Sequence, residues 1–112
     1  MIVVLFEVTM NEGRTPDYFA LAQRLREELV KIDGFISVER FQSLNDPAKY
    51  LSLSTWRDEA AVSAWYAQLD HRQAQGAGRG GIFADYRIRV ASVFRDYDMA
   101  QGRPRIAPEA SR

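Results

Sequence analysis

His71 is the one side chain of this 112-residue chain that titrates near neutrality without help, since the sequence contains a single histidine. An imidazole can accept a proton from a substrate hydroxyl, so His71 is the candidate catalytic base. On an unbroken helix, however, His71 would lie opposite Val62 and face solvent. A second interpretation, in which His71 is a surface or helix-end residue, therefore stays open.

Aromatic and cationic residues around His71 could form the walls of a binding site. Trp65 precedes it on the same predicted helix, and Tyr86 follows it on a predicted strand. Flat rings can line a pocket for an aromatic ligand, and the same rings can equally serve as core residues. Arg79 could donate hydrogen bonds to a carboxylate or phenolate. We expect Trp65, Arg79 and Tyr86 to be the substrate-binding residues.

The segment from Gly76 to Gly81 formally matches the dinucleotide-binding pattern G-x-G-x-x-G. That pattern binds a pyrophosphate only where a strand precedes it and the N-terminus of a helix follows it. Here a predicted helix precedes the glycines and a predicted strand follows them. We interpret the segment as a connector, or as a loop that admits a ligand to a pocket.

The composition excludes several classes of function. The chain has no cysteine, which removes disulfides, thiolate nucleophiles and zinc-thiolate sites, and one histidine cannot form a multi-histidine metal site. Fifteen basic residues balance fifteen acidic ones, so the field that attracts nucleic acid or an anionic membrane is missing. No signal peptide or membrane-spanning stretch is recognisable. We expect a cytoplasmic protein with no metal, nucleic-acid or membrane partner.

Apolar periodicity predicts six elements. Alternation predicts strands over Ile2 to Thr9, Phe35 to Ser43, Tyr50 to Trp56 and Tyr86 to Tyr97. Spacings of three and four predict helices over Pro16 to Ile32 and Asp58 to Gln75, with Thr15 and Asp58 as N-caps. Residues after Asp98 lack periodicity. We expect one domain over residues 1–97 and a polar C-terminal tail over residues 98–112.

This order of elements is typical of a ferredoxin-like α+β fold, βαββαβ, in which two helices cover one face of a four-stranded antiparallel sheet. An antiparallel sheet normally turns a polar face to water. In this chain the first, second and last predicted strands carry apolar residues on both faces. The second face therefore requires a cover, and a second copy of the sheet predicts a homodimer.

Three segments resemble the antibiotic biosynthesis monooxygenase (ABM) domain family of dimeric α+β barrels. They are IDGFISVERFQS, YLSLSTWRDEAAVSAW and LDHRQAQGAGRGGIFADYRIRVASVFRDY. The resemblance covers residues 1–97 and implies a pocket in each subunit between its sheet and its helices. The family includes cofactor-independent monooxygenases that oxidise polyaromatic phenols and quinol-like compounds, haem-degrading enzymes and proteins of unknown role.

The resemblance implies a cofactor-independent monooxygenase that oxidises a small hydrophobic aromatic or phenolic compound without metal or flavin. His71 would be the base, Trp65 a wall of the pocket, and Arg79 or Tyr86 a second polar contact. A non-catalytic small-molecule-binding or stress-related dimeric module is the alternative. Haem degradation is disfavoured, because that branch uses an asparagine where this chain has Phe6 or Glu7, and a histidine further along the helix than His71.

Overall fold

The computed structural model describes residues 1–75 and 81–101, with side chains except those of residues 70–75. Its elements are β1 (Ile2–Met10), α1 (Thr15–Leu29), β2 (Phe35–Gln42), β3 (Lys49–Trp56), α2 (Glu59–Gln75) and β4 (Phe83–Ser92). The strand order is β2-β3-β1-β4, and every neighbouring pair is antiparallel. The predicted ferredoxin-like βαββαβ fold is confirmed.

The last strand differs from its prediction at both ends, because it begins at Phe83 rather than Tyr86 and ends at Ser92 rather than Tyr97. Pairing with β1 explains both differences. Phe83 lies opposite Met10 and Ser92 lies opposite Ile2, so β4 spans the same stretch of the sheet as β1. Alternation alone carried the prediction past that stretch. Of the predicted tail, residues 102–112 lie outside the described residues, and the domain boundary at residue 97 stays a prediction.

The start of α1 also corrects the sequence prediction. The N-cap is Arg14 rather than Thr15, and no side chain caps the helix, although Pro16 lies in the first turn as expected. The helix ends at Leu29 rather than at Ile32. The following residues make tighter i to i−3 bonds, such as that from the Ile32 N–H to the Leu29 carbonyl at 3.1 Å.

The predicted cap of α2 is confirmed, because the Ala61 N–H donates to Asp58 Oδ1 at 3.0 Å. This backbone hydrogen bond and the neighbouring Arg57 guanidinium lower the pKa of Asp58. Neither α1 nor α2, over the residues that the structure describes, offers the long apolar stretch that a bilayer-spanning helix requires.

Both helices pack on one face of the sheet, here called the helix face. One core cluster there contains Val4, Leu29, Trp56, Ala61, Val62 and Trp65. A second contains Val8, Met10, Tyr18, Leu21 and Ile82. Leu25 packs against both clusters, so α1 joins them. The buried Trp56 indole donates to Ser54 Oγ at 2.9 Å, which satisfies its polar group without water.

The opposite face of the sheet, here called the outer face, is also apolar at its centre. It carries half-buried side chains from β1 and β3, namely Val3, Leu5, Leu51 and Leu53. Glu7 lies beside them and accepts hydrogen bonds from Lys49 Nζ at 3.2 Å and Arg89 Nη1 at 2.7 Å. These two cations lower the pKa of Glu7, with the Lys49 hydrogen bond contributing most.

Gly34, between α1 and β2, combines a positive φ of 96° with a close approach to α2. A Cβ at this position would lie 2.7 Å from the Ala61 Cβ. We expect Gly34→Ala to lower the free energy of unfolding by about 2–4 kcal/mol, from the left-handed backbone and from the steric conflict.

Gly13→Ala is the matched control. Gly13 has a φ of 78°, and a Cβ there would meet nothing within 4 Å, so only the backbone cost of about 1 kcal/mol applies. Urea unfolding of both variants measures the difference. Equal losses of stability in the two variants would contradict the close packing of α2 against Gly34.

Candidate functional site

The edge strand β4 carries an exposed apolar strip on the helix face, formed by Tyr86, Ile88 and Val90. Each of them lies opposite a residue of β1, and antiparallel partners share a face. Val4 and Val8 of β1 are 6% and 1% exposed, whereas Tyr86, Ile88 and Val90 are 60%, 43% and 47% exposed. The helices therefore cover β1 but leave the β4 strip open.

Aromatic rings continue the strip toward α1. The Tyr86 ring lies 5.9 Å from the Phe6 ring and 6.5 Å from the Phe83 ring, and Phe6 lies 5.9 Å from Phe83. Phe83 in turn packs edge-on against Tyr18 of α1 at 5.9 Å. The tilted and edge-on arrangements are those that aromatic quadrupoles prefer. The three rings form a floor that a flat apolar molecule could contact.

Trp65 lies in the core rather than on an open wall. It is 8% exposed and packs within the cluster that contains Val4 and Leu29. Val4 is the partner of Val90 across the two strands, so the core cluster that contains Trp65 adjoins the Val90 end of the β4 strip. Of the predicted binding residues, Trp65 therefore belongs to the core, while Tyr86 lies exposed on the strip.

Tyr66 of α2 was not among the residues that the sequence singled out. Gln68 donates to Glu28 of α1 at 3.3 Å, so the Gln68 flank of α2 faces α1. Tyr66 lies about 160° around the helix from Gln68, on the flank away from α1. Since α2 connects β3 to β4, that flank faces the β4 edge of the sheet.

Burial raises the pKa of the Tyr66 phenol, which keeps it protonated near neutral pH. The hydroxyl can therefore donate a hydrogen bond to an anion beside it. The signal for Tyr66 was present in the sequence, because Val62, Tyr66 and Leu69 have the spacing of four and three that marks a buried helix stripe. A tyrosine on such a stripe is a polar group within an apolar surface.

The side chains of the other two predicted site residues, His71 and Arg79, lie outside the described part of the chain. The backbone of His71 belongs to α2, but its side chain lies outside the described residues, as do Arg79 and the whole of residues 76–80. The end of the glycine segment is placed: Asn11 Nδ2 donates to the Gly81 carbonyl at 2.8 Å, and Arg14 Nη1 to the same oxygen at 3.2 Å. The segment therefore ends two residues before Phe83, beside the aromatic floor.

The part of the chain that the structure describes contains no group of three or more histidine, cysteine, aspartate or glutamate residues that could hold a metal ion. The Tyr86 phenol lies on the strip, and the Tyr66 phenol lies on the flank of α2 toward it. These groups can donate hydrogen bonds to an oxygen anion, and the rings and aliphatic side chains can exclude water from it.

Known proteins match the chain in sequence. A sequence profile of the family described as "Antibiotic biosynthesis monooxygenase" matches residues 1–77. A protein of Pyricularia oryzae named "Jasmonate monooxygenase ABM" is 42% identical over 93 residues, which cover 83% of this chain and 43% of that protein. The chain therefore spans less than half the length of this relative.

Known structures match the fold. A protein of Deinococcus radiodurans gives a TM-score of 0.74 at 15% identity, covering 88% of this chain and 98% of that one. SnoaB, a cofactor-independent oxygenase of Streptomyces nogalater, gives a TM-score of 0.68 at 14% identity, covering 85% and 94%. At these identities the likeness confirms the fold alone.

The burial of Trp65 and the exposure of Tyr86 predict that the two truncations lower stability by different amounts. We expect Trp65→Ala to lower the free energy of unfolding by about 3–5 kcal/mol, because it leaves a large cavity in the core. Tyr86→Ala should cost about 1 kcal/mol or less, since its ring is largely in solvent. Guanidinium unfolding measures both.

If Trp65→Ala does not fold, Trp65→Phe replaces it in the unfolding measurement, because it leaves a smaller cavity. The assignment of Trp65 to the core is wrong if its truncation costs no more than that of Tyr86.

Proposed function

The chain belongs to the antibiotic biosynthesis monooxygenase family, and from this premise we propose that it is a monooxygenase that oxidises a small, largely apolar organic compound bound on the β4 strip. The observation that carries the proposal is the open strip of Tyr86, Ile88 and Val90 beside α2. Exposure of such an apolar patch to water is unfavourable, so the patch favours a ligand or partner that covers it. Binding a ligand there removes apolar surface of both molecules from water.

The proposed substrate is an aromatic or phenolic compound. Its support is the floor of Phe6, Phe83 and Tyr86, whose ring edges and faces suit another flat ring. A deprotonated phenol can itself reduce oxygen. One atom of O₂ enters the ring to give a quinone, and the two hydrogens that the substrate loses leave with the other atom as water. The substrate supplies all the electrons, so this reaction requires neither metal nor flavin.

The protein residues have separate roles in this proposal. His71, six residues after Trp65 on α2, accepts the phenol proton. Tyr66, Tyr86 or Arg79 donates a hydrogen bond to the oxygen anion. Trp65 and the β4 strip keep water away from it. The rival function is a non-catalytic module that binds the same compounds without oxidising them.

The Pyricularia oryzae relative favours a second class of substrate, because the name of that protein is jasmonate monooxygenase and its identity to this chain is 42%. Jasmonate is a carboxylate with a ketone ring and no phenol. Hydroxylating such a molecule consumes two electrons that the substrate does not supply, so an external reductant is required. Dependence of turnover on added reductant therefore separates the two substrate classes.

We further propose that two copies associate through their outer faces. The support is the apolar centre formed by Val3, Leu5, Leu51 and Leu53, flanked by the charged group of Glu7 with Lys49 and Arg89. An isologous sheet-to-sheet contact would bury this centre in both copies at once. The arrangement leaves the helix face, and the β4 strip on it, free in each copy.

Oxygen consumption with naphthol tests the catalytic proposal. We expect uptake of one O₂ per naphthol and, with isotopically labelled O₂, one labelled oxygen in the naphthoquinone product. His71→Ala should lower kcat by about 100- to 10,000-fold, because it removes the base. Ile88→Glu should raise KM about tenfold or more, because it places a charge on the apolar strip.

Ala20→Glu, at an exposed position of α1, is the matched control and should leave both constants unchanged. Naphthol that binds to the wild type without oxygen uptake, with or without reductant, would contradict the enzyme proposal and favour the binding module. Full activity of Ile88→Glu would show that the strip is not the site.

A substitution that places a charge at the centre of the outer face tests the proposed dimer. We expect Leu53→Lys to convert a dimer into a monomer in size-exclusion chromatography with light scattering, because association would bury an ammonium group from each copy. Ala20→Lys, on exposed helix surface, should leave the mass unchanged. A wild-type monomer, or a Leu53→Lys dimer, would refute association through the outer face.

A further inference from the structure

A cavity of about 280 Å³ lies between α1 and the edge strand β2. It is lined by Phe19, Gln23, Arg26, Val38, Glu39 and Arg40. In the strand order β2-β3-β1-β4 this position is the edge of the sheet opposite the β4 strip. Buried Tyr18 lies between the two, since its ring meets Phe83 on one side and Arg40 on the other, at 5.9 Å each. The α1/β2 cavity is therefore separate from the proposed oxidation site.

The cavity has positive charge without a counter-charge. Arg40 Nε is buried and has no hydrogen-bond partner among the described residues. Within the same part of the chain, the ion pairs involve other cations, so Arg26 and Arg40 form none. A guanidinium stays protonated in any protein environment. An unpaired buried donor is uncommon and costs free energy, which an anion in the cavity would offset.

Arg40 is held in position by the core. Its guanidinium carbon lies 5.9 Å from the centroid of the Tyr18 ring, in a cation–π arrangement. Tyr18 belongs to the second core cluster and is itself buried. Burial raises the pKa of Tyr18, and the charge and hydrogen bond of Arg40 oppose that rise. A cation fixed in this way loses little freedom when it binds a ligand.

The remaining walls indicate the chemistry of the ligand. Phe19 and Val38 offer apolar surface, which an inorganic anion would leave uncovered. A neutral apolar ligand would leave Arg40 Nε without a hydrogen-bond acceptor. Glu39 also borders the cavity, but it pairs with Leu53, so its side chain lies on the outer face and does not neutralise Arg40. The walls therefore fit a ligand with a negatively charged group and an apolar body.

We propose that the α1/β2 cavity is a binding site for a small organic carboxylate, whose carboxylate pairs with Arg40 and Arg26 and whose apolar body packs on Phe19 and Val38. The guanidinium group suits a carboxylate because its donors match the two oxygens. This site depends on neither the oxidation chemistry nor the dimer, so a measurement of ligand binding tests it directly.

Isothermal titration calorimetry with benzoate and its neutral counterpart benzamide tests the proposal. Benzoate should bind with one site per chain, and benzamide at least tenfold more weakly. Arg40→Gln should weaken benzoate binding at least tenfold, because it removes the attracting charge, whereas Glu39→Gln, on the outer face, should leave benzoate binding unchanged. Equal affinity for the two probes, or no binding of either, overturns the proposal.

Two further variants keep the test independent of folding and of the other site. Gln23→Trp fills the cavity from an exposed position of α1 and should abolish benzoate binding without loss of thermal stability. Ile88→Glu, on the β4 strip, should leave benzoate binding unchanged. Benzoate binding that survives Arg40→Gln or a folded Gln23→Trp, or that is lost in Ile88→Glu, overturns the assignment to this cavity.

Discussion

The pairing of β1 with two neighbours at once is the constraint on which the rest of the molecule depends. This strand is bonded to β3 on one side and to β4 on the other, and its alternate residues build both core clusters on the helix face. Its other alternate residues form the centre of the outer face. The length of β1 also sets the length of β4, since the register of β4 runs from Ile2 to Met10. One strand therefore sets the core, the extent of the sheet and both of its faces.

The position of the helices over this strand explains why the candidate sites lie at the edges of the sheet. The apolar stripes of α1 and α2 converge on Val4 and Val8, which leaves less cover for the outer strands. On β4 the uncovered residues are apolar and form the strip. On β2 the uncovered region is the cavity that Arg40 lines. Because α1 and α2 pack over the centre of the sheet, they bury β1 and leave an open surface at each edge.

Sequence periodicity predicted the elements well wherever local chemistry decides them. Asp58 caps α2, and Val62, Trp65 and Leu69 pack on the core, because an N-cap and a helix stripe are properties of neighbouring residues. The end of β4 depends on its partner strand, and alternation within the strand cannot supply it. Thr15 looked like a cap by residue type, yet the helix begins one residue earlier.

The candidate site was less predictable than the fold for a related reason. Trp65 and Tyr86 could both be named as aromatic residues near one another, but only the packing of α2 shows that one is buried and the other exposed. The sequence places Tyr66 on a helix stripe, but only the hydrogen bond between Gln68 and Glu28 shows which flank of α2 faces α1 and which faces away from it. Arg40 lies on an edge strand in an alternating pattern, and nothing local to it indicates that its charge lacks a partner.

Placing the sites on edge strands separates the requirements of folding from those of binding. Residues of the β4 strip are 43–60% exposed, so replacing them removes less buried surface, whereas Val8 or Trp56 cannot change without cost to the core. A fold built in this way can keep its architecture while its binding surfaces diverge. The fold itself persists in solved structures with TM-scores of 0.74 and 0.68 at identities of only 15% and 14%. Central residues thus maintain the domain, and the edge residues can change at little cost to its stability.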